Sequence, residues 1–103
     1  MIITAEMKAT AATAALIAIY EEAIQAVVDA KPRERAFRDG VTLASYALST
    51  IPAWQAQAQA FIAWRDQVWA FTYVELAKVQ AGERARPTVE AFVAELPTLT
   101  WPD

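Results

Sequence analysis

A chain of 103 residues, 56% hydrophobic and 20% charged, has the make-up of one folded domain able to bury roughly 60 to 70% of its unfolded surface. It contains no cysteine and no histidine, which excludes disulfide staples, thiol nucleophiles, imidazole bases and the usual zinc sites. The net charge of -3 and the pI near 4.9 argue against a general nucleic-acid binder, which needs a basic face to replace phosphate counterions.

Residues 1 to 30 are alanine-rich and free of glycine and proline. Leu16, Ile17, Tyr20, Ile24, Val27 and Val28 fall on one helical face, Thr4 can cap, and Glu6 suits the positive end of the helix dipole. The expectation is an amphipathic helix over 5–30 that ends before Pro32. Lys8 followed by AATAALIAIY has the shape of a signal-peptide core, but Glu6 spoils the basic start and Glu21-Glu22 follow at once. No uninterrupted apolar run reaches the about 18 residues of a membrane span, so no membrane partner is expected.

Residues 31 to 50 form a connector and a short helix. KPRERAFRDG carries Lys31, Arg33, Arg35 and Arg38 between Pro32 and Gly40, a pattern that reads either as a phosphate contact or as a solvated link with one helical turn. The acidic whole favours the link. Thr42 can cap a helix over 42–49, which must stop where Ile51-Pro52 disfavours further α conformation.

The stretch 51 to 81 reads as one helix of about eight turns, the element around which the others pack. Pro52 suits its first turn, Ser49 or Thr50 can cap it, and Gly82 supplies a left-handed stop. At about 100° per residue, Trp54, Phe61, Val68 and Val79 cluster with Trp64 and Phe71 on one flank and with Ile62, Trp69, Tyr73 and Leu76 on the other. That arc spans roughly half the circumference, wider than one neighbour covers. The surplus implies self-association, with Trp64 and Phe71 as candidate contact residues. The alanine ladder Ala63, Ala70 and Ala77, at heptad spacing with Ala56, would let a second long helix approach closely. Arg65 lies near the middle of the apolar arc, with Phe61 and Trp69 one turn away on either side, and cannot shed its charge, so it requires a partner from another element. Glu21, Glu22, Asp29, Glu90, Glu95 and the carbonyls of the Ile51-Pro52 corner are the candidates.

Residues 82 to 103 give a polar loop, GERARP, then a short helix over 88–95 with Thr88 as cap and Val89, Phe92, Val93 and Leu96 as its apolar side. Pro97 stops it, and the tail brings Trp101 into contact with the body. The fold expected is all-α: two long antiparallel helices, 5–30 and 52–81, and two short ones in a small helical bundle. Adjacent acids such as Glu21-Glu22 point about 100° apart on a helix, a poor acid-base dyad. With no phosphate loop and no nucleophile beside a base, no catalytic residue, cofactor or metal site is expected.

Residues 42 to 102 also resemble a known module. SYALST at 45–50, AWRDQVW at 63–69 and PTVEAFVAELP at 87–97 before Trp101-Pro102 are similar to a helical module of phage and prophage tail-region proteins, found at the C-terminal end of tail-fibre assembly or tail-chaperone-like proteins. Gln57 departs from the pattern, where a glutamate is more usual. The resemblance implies a non-enzymatic role in tail assembly, through packing against a second copy of itself, as a dimer, or against a tail protein. It places the chain in the cytoplasm of a bacterial host or on the virion. A small prophage-encoded regulatory or ligand-binding helical domain is the alternative.

Overall fold

The computed structural model describes the backbone of residues 5 to 103 and the side chains from residue 11 onward. Thr4, Glu6 and Lys8, the expected starting signals, lie outside the described backbone or side chains. Among the described residues the fold is all-α: α1 (Ala5–Ala30), a 3-10 turn (Lys31–Arg35), α2 (Gly40–Ala44), α3 (Pro52–Gln80) and α4 (Val89–Ala94).

Local signals set most boundaries. Pro52 stands in the first turn of α3. At its far end Gly82 adopts φ +75, with Gly82 N–H donating to the Val79 carbonyl at 3.1 Å and Glu83 N–H to that of Lys78 at 2.9 Å. This paired closure is a Schellman motif, which satisfies carbonyls that the helix end would leave orphaned. Thr88 caps α4, its hydroxyl accepting from Ala91 N–H at 3.1 Å.

Two expected caps are replaced. Asp39, not Thr42, caps α2: its carboxylate accepts from Thr42 N–H at 2.8 Å, and the helix spans 40–44 rather than 42–49 because Gly40 can start it in a confined space. No side chain caps α3; its N-cap is Ile51, and the Ser49 hydroxyl instead accepts from Ile51 N–H at 3.1 Å, tightening the corner. The connector is also more ordered than a solvated link. Pro32 is fully buried, and Ala36 closes the 3-10 turn with φ +65.

The core consists of Ile24 and Val28 from α1, Leu43 from α2, Ala58, Phe61, Trp64 and Val68 from α3, and Phe92 from α4. α2 comes close to α3 in backbone, while α1 approaches the 3-10 turn, α4 and α2. The short elements thus stand between the two long helices. The radius of gyration is 17.1 Å and the long dimension 56 Å, against about 13 Å expected for a compact domain of this length. The molecule is elongated, and Ala11 to Ala15 of α1 are exposed.

The apolar-run count requires a correction. By length and composition the segment 11–35 is apolar enough to cross a membrane, because its alanines and β-branched residues outweigh Glu21 and Glu22 in the average. Ile24 and Val28 within it are buried in the domain core, although only 11% of the apolar window is buried; a core helix and a signal sequence both meet the same measure of length and apolarity.

Candidate interaction surface

The side chains expected to face a partner divide between interior and surface. Trp64 is 3% exposed, and its indole Nε1–H donates to the Pro97 carbonyl at 2.7 Å. It is a core residue, which corrects its place on the contact surface. The wide arc of α3 left its side undecided, and the returning C-terminal segment covers it. Phe71 is half-buried, its ring stacked on Phe92 with centroids 5.6 Å apart. Ala63, Ala70 and Ala77 do stand exposed along α3.

Among the described residues Arg65 does not reach another element, which corrects the expected partner and the placing of Arg65 near the middle of the apolar face. It pairs with its neighbour Asp66, Nη2 to Oδ1 at 3.0 Å and Nε to the same oxygen at 3.2 Å, with its side chain 37% exposed. The buried stripe of α3 runs through Ala58, Phe61, Trp64, Val68 and Thr72, so Arg65 sits at its margin. From there a long side chain can cover apolar surface with its stem and still reach water with its head.

The cation that joins elements is Arg84, from the loop after α3. Its Nη1 donates to Glu75 of α3 at 2.9 Å, its Nη2 donates to Glu95 just past α4, and the guanidinium lies 5.7 Å from the Phe92 ring centre. Lys78 adds a second contact to Glu75 at 2.8 Å. The Lys78 hydrogen bond, with Arg84 beside it, holds the Glu75 carboxyl below its ordinary value, and Glu95 raises the Arg84 guanidinium. Glu75 and Glu95 are therefore engaged, but not by Arg65.

Large apolar side chains remain exposed on α1 (Ile19), at Tyr73 and Val74 of α3, and in and around the α2–α3 corner: Val41 in α2, Leu48 and Ile51 in the corner and Trp54 in the first turn of α3, with Leu48 89% and Val41 83% exposed. Beneath Trp54 runs an edge-to-face ladder, Phe37 to Tyr46 at 5.3 Å and Tyr46 to Trp54 at 5.6 Å, flanked by Arg35 and Arg38 along a shallow groove. The corner is braced, since Gln59 of α3 donates to the Ala47 carbonyl at 3.3 Å. Two stretches read separately in the sequence, the basic connector and the tryptophan-rich helix, thus share one surface. The signal that could have located it was the apolar content of the capping segment itself: Leu48 and Ile51 belong to no periodic helix face.

On the other side of the connector, the tail docks. The Trp101 indole donates to Glu34 at 3.4 Å, Arg35 lies 5.5 Å from the Trp101 ring centre, and Arg35 reaches Asp103 at 3.6 Å. Lys31 bonds Glu34 at 3.2 Å; that hydrogen bond, and then the one from Trp101, lowers the Glu34 carboxyl. Among the described residues no group of three or more acidic side chains could hold a metal ion. No family model, curated protein or solved structure matches the chain.

Proposed function

We propose that this chain is a non-enzymatic interaction module of a phage or prophage, acting in tail or tail-fibre assembly by packing against a second copy of itself or against a tail protein. The observation that supports an interaction role is the exposure of four large apolar side chains, Val41, Leu48, Ile51 and Trp54, over the short span from α2 to the first turn of α3, since exposed apolar surface in excess of scattered single residues marks contact sites. The tail setting rests on the resemblance of residues 42 to 102. In this reading α1 and α3 run antiparallel as the two arms of a small bundle. Support comes from residues 13–20 of α1 and 72–80 of α3 lining one cleft, while Asp29 near the end of α1 accepts from the N–H of Gly40, which abuts Phe61 in the earlier part of α3. The exposed alanines Ala63, Ala70 and Ala77 offer a second place for a partner helix to lie close. The module works in the host cytoplasm or on the virion.

The test is light scattering on a size-exclusion column, with the double variant Val41→Ser, Leu48→Ser as control. The expected result is a dimer at about 50 μM, in the concentration range of modest interfaces, and a monomer of unchanged helicity for the variant. A wild-type monomer that also captures no identified tail protein from an induced phage lysate overturns the proposal. One observation, the apolar cleft between α1 and α3, favours the alternative of a prophage-encoded regulatory or ligand-binding domain. Flanking tail genes accord with assembly, and a flanking repressor gene accords with regulation.

A further inference from the structure

The cleft is separate from the corner. Leu16, Ile17 and Tyr20 of α1 form one wall, Leu76 and Val79 of α3 the other, and Phe92 the floor, enclosing about 110 Å³ open to solvent on one side. No polar surface faces the space, and three of its polar lining residues are engaged elsewhere. Tyr20 donates its hydroxyl proton to the Pro87 carbonyl, Thr72 returns its own to the Val68 carbonyl at 2.8 Å, and Glu75 is held by Lys78 and Arg84. Water gains nothing in a site that offers it no partners.

Polar contacts at the rim tie both walls to one loop. Tyr20 ties α1 to the loop at Pro87, and Arg84 ties the same loop to α3 and to the end of α4. Arg86 lines the cleft with its aliphatic stem, since no polar surface faces the space, and it is the one charged lining residue without a counterion among the described residues, Glu75 being held by Lys78 and Arg84. An apolar chamber lined by the stem of an arginine, whose flexible guanidinium lies beyond the apolar lining, selects an apolar body carrying an anionic head.

We propose that this cleft binds a small amphipathic carboxylate, its short alkyl chain or single ring between Leu16, Ile17, Leu76 and Val79 and its carboxylate at Arg86. The volume limits the body: a dry cavity of about 150 Å³ accommodates the six carbons of benzene, so about four or five carbon atoms, the alkyl body of hexanoate, fill this one of about 110 Å³.

Methyl NMR titration with hexanoate, hexan-1-ol and acetate tests the assignment. Hexanoate shifts the methyls of Leu16, Ile17, Leu76 and Val79 saturably, with a Kd of about 1 mM or somewhat below, as its atom count allows. Hexan-1-ol binds about three- to fivefold more weakly, the range an exposed ion pair provides, and acetate leaves these methyls unmoved. Arg86→Gln, at an exposed position, removes the difference between acid and alcohol, while Leu76→Trp fills the cleft and abolishes both. Absence of saturable shifts, equal affinity of alcohol and acid in the wild type, or an undiminished difference in Arg86→Gln overturns the proposal. The dimer measurement is independent of it, so the two readings can fail separately.

Discussion

Gly40 shows how much can depend on one missing methyl group. A Cβ built there would lie 3.1 Å from the Asp29 carboxylate and 3.1 Å from the Phe61 ring, and the Gly40 N–H donates to that carboxylate at 3.2 Å. Phe61 is fully buried and cannot move aside. Gly40→Ala is expected to destabilise by about 1–3 kcal/mol, the usual range for overpacking, read as a lower urea midpoint with an unchanged slope. The two arginines supply a contrast at the same scale. Arg65→Ala is expected to cost no more than about 0.5 kcal/mol, because an exposed pair with a sequence neighbour contributes little. Arg84→Ala is expected to lower the urea midpoint clearly, since it releases Glu75 and Glu95 together and uncovers Phe92. Equal midpoints for the two variants would show that the loop is not held by its arginine.

Among the elements, left-handed residues close two segments with opposite economy. Gly82 ends α3 at φ +75 with open space around it, whereas Ala36 ends the 3-10 turn at φ +65 and bears a Cβ. A non-glycine residue in this region costs about 1–2 kcal/mol. Gly82→Ala is therefore expected to destabilise by about 1 kcal/mol without any steric clash, and Ala36→Gly to stabilise by up to about 1 kcal/mol, less what glycine adds to unfolded-chain freedom. Paired thermal melts check both signs. Both closures depend on local backbone geometry, yet only the glycine announced itself in the sequence, and the alanine was hidden in an alanine-rich chain.

For the whole molecule, pH is the informative variable. Glu75, Glu34 and Asp39 all have carboxyls held below their ordinary values, by the Lys78 hydrogen bond, by the Lys31 and Trp101 hydrogen bonds, and by the Thr42 N–H at the cap respectively. A depressed folded-state value means that the unfolded chain binds protons first as pH falls. The stability these groups contribute is present above their ordinary values of 4.5 for Glu and 3.8 for Asp, and it is lost as pH drops through the lower folded values. The urea midpoint is expected to stay flat from about pH 7 to about pH 5 and to fall toward about pH 3. Glu75→Gln should flatten part of that fall. A midpoint that rises on acidification would contradict the sign of all three shifts.

Helix existence and most helix ends were legible in the sequence, because caps and stops act within a few residues: Pro52 opens α3, Gly82 closes it, and Thr88 starts α4. The arc on α3 was also legible as too wide for one neighbour, but a wheel gives direction without saying what lies there. That decision came from contacts distant in sequence, with Trp64 reaching Pro97 and Tyr20 reaching Pro87. The same limit explains the choice of arginine. Arg65 stood in a periodic helix where a pattern could single it out, while Arg84 lay in an aperiodic loop whose position depends on α3 and α4 being in place. Local backbone chemistry can be read from neighbours along the chain; which face is inside, which charge is shared and which space stays empty depend on how separate elements meet, and only the tertiary structure decided those.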